Sequence, residues 1–300
     1  MPEPDAGVGG DCTVEPSIRV RSVANAYGGD RVPPAALAFD GTDFWVVVED
    51  VAGAVYELYT VKISAEGRRR WSEDADPVTR GRTGGEPVGP FLQQVPSGLL
   101  FGWNERPTAP EFYAGRTGIL GADGVVGATQ DLAGNLEELV PFSDGVLAPL
   151  TLYADNARPG LQQLGTSTAV RLDPALFAPS AARTPSGDWQ VVLERGQTDV
   201  ILVELDQTLV VQDSTTLVDG RSEPTSAPRA RWTGDALSVL YLATTAAGRA
   251  LRLVEVDAAG DATGPPITLT ASVADTWPEL AYSARRDELA VVYTRDTRVE

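Results

Sequence analysis

Short apolar runs recur along the chain, each introduced by a tight polar turn that commonly carries glycine. The turn at Asp40, Gly41 and Thr42 leads into Phe44, Trp45, Val46, Val47 and Val48 and ends on Glu49. Pro96, Ser97 and Gly98 precede Leu99, Leu100, Phe101 and Trp103, and further turns fall at Gly145, Gly187 and Gly234. A sixth turn, without glycine, runs through Arg285, Arg286 and Asp287 into Leu289, Val291 and Tyr293. Glycine or aspartate at such turns permits the positive φ of tight hairpins, and the flanking residues suit a pleated, packed surface. A second hairpin signal follows the first within the units, at Glu66-Gly67, Asp123-Gly124 and Asp257 to Gly260. Two hairpins make four strands, and no segment of these units has the 3.6-residue period of an amphipathic helix.

The turn glycines are 57, 47, 42 and 47 residues apart, and the sixth turn adds 52. A mean near 49 fits one four-stranded propeller blade per repeat. The pattern predicts an all-β fold: a β-propeller of about six four-stranded blades, with seven as the alternative. Residues 17–25 resemble residues 266–275, the outer strand of the fifth unit and its exit loop. The N-terminal strand is therefore expected to close the last blade, which otherwise reads as incomplete. Residues 1–13 read as a flexible Pro/Gly spacer, and residues 14–300 as a single propeller domain.

Blade one, from Pro34 and Ala35 through Asp40-Gly41 to Glu66-Gly67, resembles a repeat of exported proteins from myxobacteria and related bacteria. Trp277-Pro278-Glu279-Leu280 opens the sixth unit in a similar way, whereas blades two to four match in little more than spacing. The resemblance implies a propeller, and export or surface attachment, without a defined reaction. Neither a charged n-region nor an apolar h-region stands at the N-terminus, so a signal peptide is not visible in this sequence. The expected location is extracellular, periplasmic or surface-attached.

Composition narrows the chemistry. The chain has no histidine, which removes Ser-His-Asp and Cys-His catalytic units and histidine metal sites. Its single cysteine, Cys12, excludes an internal disulfide and a thiolate cluster. A net charge of −18 argues against nucleic acid as a partner. No run approaches the length of a membrane span. The one dense basic cluster, Arg68 to Arg70, falls on an expected outer edge strand, where charge guards against unwanted pairing.

Loops entering the first strand and leaving the second gather at one end of a propeller axis. Aligning the ends of the second strands brings Glu49, Glu105, Asp155, Glu194, Thr244 and Arg295 to similar positions. Pointing inward, the four acids form a ring able to hold a hard cation such as Ca²⁺, although no local calcium-binding motif is present and no cofactor is otherwise expected. Pointing outward, they are ordinary loop carboxylates. Paired acids, among them Glu137 and Glu138, or Glu105 facing Glu194, also fit a glycosidase or polysaccharide lyase. Tyr27 and Trp277 occupy matching loops near several arginines and suit sugar or peptide recognition, though Trp277 reads equally as a core cap beside Pro278. The resulting expectation is an exported, monomeric binding or scaffold propeller for a protein or carbohydrate ligand. A carboxylate-dependent enzyme, or a structural module of a larger surface protein, are the alternatives.

Overall fold

The structure is a computed structural model that describes residues 35–52, 55–64, 68, 78, 85–106, 114–143, 145–152, 158–173, 176–196, 198–271, 273, 278–283, 288–295 and 298–299. Among them the chain forms antiparallel β-sheets and no helix, hence no helix long and apolar enough to cross a membrane.

The first sheet contains β1 (Ala35–Phe39), β2 (Asp43–Ala52) and β3 (Val55–Ser64) in that order. The second runs β4 (Glu86–Val95), β5 (Gly98–Arg106), β6 (Ala114–Leu120) and β7 (Val126–Asp131). In the third, the first strand is split into β8 (Asn135–Leu136) and β9 (Val140–Phe142), and both pair with β10 (Gly145–Leu152). β11 (Arg158–Gln163) and β12 (Val170–Arg171) complete that sheet. The fourth is β13 (Leu176–Arg183), β14 (Trp189–Arg195), β15 (Asp199–Leu205) and β16 (Val211–Val218). The fifth is β17 (Thr225–Trp232), β18 (Leu237–Thr245), β19 (Gly248–Val256) and β20 (Ile267–Thr270).

The first strands touch in sequence order: β1 against β4, β4 against β9, β9 against β13 and β13 against β17. Sheets arranged this way, innermost strand beside innermost strand, are the blades of a β-propeller. Five blades are formed among the described residues, where about six were expected. The sixth unit supplies only β21 (Glu279–Ser283) and β22 (Glu288–Val292), a two-stranded hairpin against β17. After β22 the chain makes a separate pair, β23 (Thr294–Arg295) with β24 (Arg298–Val299), so among the described residues no third strand joins the hairpin. The expected closing strand, at residues 17–21, lies outside the described residues, as do Cys12, Arg69 and Arg70.

The second strands of blades two to five are sandwiched between neighbours, which explains their nearly unbroken apolar character. Trp45 and Val47 of blade one pack with Leu99, Phe101 and Trp103 of blade two. Leu100 then meets Leu136, Ala148 and Leu150 of blade three, and Leu161 meets Leu193 and Ile201 of blade four. Val192 and Leu202 pack on Val239 and Tyr241 of blade five, and Leu240 and Leu251 on Leu280 of the hairpin. At roughly 1.5–3 kcal/mol for each fully buried large side chain, these seams dominate the stability. Aspartates cap the turns between strands: Asp40 accepts from the amides of Thr42 and Asp43 and from Trp45 Nε1. Asp206 and Asp257 hold the outer turns of blades four and five in the same manner.

Three of the innermost strands are interrupted in their first half by a proline, Pro90, Pro179 or Pro228. Proline cannot donate to a ladder, and each strand accommodates it with a β-bulge. The preceding residue takes a positive φ: Gly89 at 61°, Ala178 at 50° and Ala227 at 52°. Only Gly89 adopts this region without steric cost; an alanine there stores on the order of 1 kcal/mol. Ala178→Gly and Ala227→Gly are therefore expected to raise the unfolding free energy measured in urea, by on the order of 0.5 kcal/mol each, despite the usual penalty for glycine in a strand. A loss of about 1 kcal/mol in either variant would show that the bulges hold no strain.

Candidate functional site

Because strands alternate faces, the residue that closes each second strand points either to the preceding blade or to the following one. In β2 the forward face carries Trp45, Val47 and then Glu49, whose side chain is buried. Glu49 Oε2 accepts from the Gly89 amide of blade two at 3.2 Å. In β14 the forward face carries Val192 and then Glu194, whose Oε2 accepts from the Ala227 amide of blade five at 3.3 Å. Both donors are the positive-φ bulge residues, displaced from regular strand pairing by the proline that follows. A carboxyl group of one blade thus holds the bulged entry of the next.

Glu105 does not share this role. It lies on the backward face with Trp103, which donates from Nε1 to Glu105 Oε1 at 3.3 Å, and Arg116 Nη1 stands 3.1 Å from the same oxygen. The forward position in blade two belongs to Asn104. Its Oδ1 accepts from the Leu136 amide at 2.7 Å, and its Nδ2 donates to the Leu136 carbonyl at 3.0 Å. Asn104 was missed because aligning the ends of the second strands does not fix which face a residue occupies: Glu49 follows Trp45 and Val47 on the forward face, whereas Glu105 follows Phe101 and Trp103 on the backward one. Counting parity from the aromatic Trp103 would have placed Asn104 on the opposite, forward face.

Blade three uses a different element. Thr151, at the forward position of β10, donates to Glu137 Oε1 within its own blade at 2.7 Å. The reach to blade four comes from Glu138, in the break between β8 and β9. Its Oε2 accepts from Ser180 Oγ at 2.8 Å and from the Ala181 amide at 3.3 Å. Ser180 Oγ in turn accepts from the Ala230 amide of blade five at 3.0 Å. The other oxygen of Glu138 takes an ion pair from Arg231 of blade five. A single buried acid therefore links three consecutive innermost strands, while Glu137 bonds within its own blade.

Thr244 sits near the end of β18, where its amide donates to the Pro224 carbonyl at 2.8 Å. Arg295 ends the short β23 strand. Tyr27, Asp155 and Trp277 lie outside the described residues. Among the described residues no group of three or more acidic, cysteine or histidine side chains is arranged to hold a metal ion.

Glu49 differs from the other acids in its electrostatics. Burial pushes its carboxyl up to about 7, against which the single bond from Gly89 acts weakly. Its Oε1 has no hydrogen-bond partner among the described residues.

No protein-family model matches the chain, and no curated protein matches it. Solved structures do. The BP39L lectin from Burkholderia pseudomallei is 11% identical with a TM-score of 0.57, over 88% of this chain and 78% of that one. A puromycin-hydrolyzing peptidase from Mycobacterium tuberculosis is 17% identical with a TM-score of 0.50; the match covers 87% of this chain but 42% of the peptidase. An α-L-arabinofuranosidase from Clostridium thermocellum is 10% identical with a TM-score of 0.46, over 87% and 81% of the two chains. The likeness is one of fold.

The raised Glu49 value makes stability depend on pH. Below about 4.5 both folded and unfolded chains carry the proton and no penalty arises. Between there and about 7 only the unfolded chain releases it, so stability falls as pH rises, and above 7 the loss is complete. The shift corresponds to about 3 kcal/mol. Glu49→Gln keeps an acceptor for Gly89 and removes the titration. Urea unfolding at pH 4.5 and 8 is expected to show this variant gaining about 3 kcal/mol on the parent across that window. A difference that stays constant with pH would place Glu49 in water.

Proposed function

We propose that this chain is an exported, monomeric, non-catalytic propeller that binds carbohydrate at the loop-rich end of its axis. The observation that carries the reading is how the buried acids are engaged. Glu49 and Glu194 hold bulge amides, Glu138 holds three strands together, and Glu105 is paired with Arg116. Glycosidase chemistry needs two carboxyls free to face one bond, one as acid and one as base or nucleophile. Carboxyls that knit blades together serve architecture, and they leave the loops to do recognition. The lectin with a similar fold offers a precedent for sugar binding on such a framework. On this reading a sixth blade, begun by the β21–β22 hairpin and closed by residues 17–21, completes the ring around the face.

One observation favours the enzymatic alternative. A carboxyl that titrates near 7, as Glu49 does, has the protonation a general acid requires. A glycan array probed with the intact chain, followed by a reducing-sugar assay on every glycan retained, separates the two. Saturable binding without new reducing ends is expected. Release of reducing ends, abolished in Glu49→Gln, would establish the enzyme instead, and retention of no glycan would remove carbohydrate as the ligand.

A further inference from the structure

At the end of the axis opposite the loops, one arginine stands without a counter-charge. Arg183 ends β13, at the turn that leads into β14. Its Nε donates to the Gly187 carbonyl of that turn at 3.0 Å, and its Nη1 donates to Ser143 Oγ of blade three at 3.2 Å. The guanidinium carbon lies 4.9 Å from the centre of the Phe142 ring and 5.7 Å from that of Trp189, and the two rings meet edge to face. Stacking and two neutral acceptors fix the plane of the group. Its Nη2 makes no hydrogen bond among the described residues and is open to solvent.

Acids outnumber bases in this chain by 42 to 24, and Arg116, Arg195, Arg231 and Arg252 each face a carboxylate. Arg183 has no ion pair among the described residues. The described acids of the adjoining turns are engaged elsewhere: Asp188 accepts from Ser186 Oγ, and Asp206 accepts from Thr208, Val210 and Gln212. A second donor stands beside Arg183. Gln207, exposed in the outer turn of blade four, donates from Nε2 to the Ser186 carbonyl at 3.0 Å and keeps a second N–H. The point where a side chain at Gly187 would begin is 3.4 Å from Arg183 Nη2 and 3.2 Å from Gln207 Nε2. The two nitrogens therefore border one gap, and a glycine at a φ of 94° keeps it open. Ser143 adds a third donor, since its exposed hydroxyl accepts from Arg183 and has its own proton to give.

The donor set selects the ligand. Three donors, one of them a charged fork, call for an acceptor with two oxygens, and a carboxylate matches the fork in shape and charge. The net charge of −18 does not forbid it, because at physiological ionic strength charges beyond about 8 Å are largely screened and the nearest partners decide. The hydroxyls of Ser143 and Ser186 and the amide of Gln207 both give and accept, which suits the ring hydroxyls of a sugar beside its acid. We propose that Arg183, Gln207 and Ser143 bind the carboxylate of a uronic-acid residue in an acidic saccharide, between the turns of blades three and four. The proposal rests on the carbohydrate-binding reading and adds a second contact, at the opposite end of the axis.

The test is isothermal titration of the intact chain with trigalacturonate, with its methyl ester, which keeps the sugar and removes the charge, and with succinate. The parent is expected to bind the acid at least about tenfold more tightly than the ester, as a charge-assisted pair requires. Arg183→Gln is expected to abolish that preference. Gln207→Ala is expected to reduce it severalfold with little change in melting temperature, since it removes one bond to a turn carbonyl at an exposed position. If Arg183→Gln fails to fold, Gln207→Ala and Ser143→Ala carry the same test. Equal affinity of the parent for acid and ester, or a preference that survives in the variants, overturns the proposal while binding of the ester leaves the carbohydrate reading standing. Succinate bound as tightly as trigalacturonate would assign the site to free carboxylates and overturn the saccharide. Binding of neither saccharide also overturns the proposal, and the glycan array then decides the carbohydrate reading separately.

Discussion

A proline near the start of an innermost strand is the constraint on which this propeller turns. Proline has no amide to offer the ladder and fixes its own φ, so the strand bulges and the residue before it flips to positive φ. That displaces a buried amide which, unsatisfied, would cost on the order of 1–3 kcal/mol. Gly89 and Ala227 find their acceptor in the preceding blade, on Glu49 and Glu194. The same defect that interrupts a blade internally thus supplies the bond that ties it to its neighbour. Apolar packing along the seams supplies most of the energy, but it is non-directional. The polar latches set the angular register between sheets.

This arrangement explains how an acidic chain keeps several carboxyls buried beside its axis. Charges held in a seam need partners, and the three acids solve the problem in different ways. Glu105 and Glu138 take arginines, Arg116 and Arg231, and Glu138 adds a serine hydroxyl and an amide. Glu49 has the Gly89 amide alone, and its carboxyl responds by holding its proton toward neutral pH. A protonated Glu49 comes close to Asn104 in character, since both then present one acceptor and one donor to the next blade's backbone. Inter-blade hydrogen bonds and ion pairs hold these acids where they sit.

The fold was largely legible because its signals are local. Turn chemistry at Gly41, Gly98, Gly145, Gly187 and Gly234 and the apolar second strands placed each first hairpin correctly, and Asp123 and Asp257 marked outer turns that the structure confirms. Blade count was less legible, because pairing is non-local: β21 and β22 form as their residues predict, yet nothing in those residues dictates that a third strand joins them. The site was half legible. Glu49, Glu105 and Glu194 were singled out by position, but which way each points depends on strand parity, and a one-residue offset exchanges Glu105 for Asn104.

The latches make a direct claim about local opening. Amide hydrogen exchange under native conditions, read residue by residue, reports the free energy needed to expose each N–H. If side chains of the preceding blade hold the entries of blades two, three and five, the amides of Gly89, Leu136 and Ala227 exchange as slowly as those of Val192 and Leu240 in the buried second strands. Exchange at these three positions as fast as at a turn residue such as Ser97 would contradict the account and leave apolar packing alone to hold the blades together.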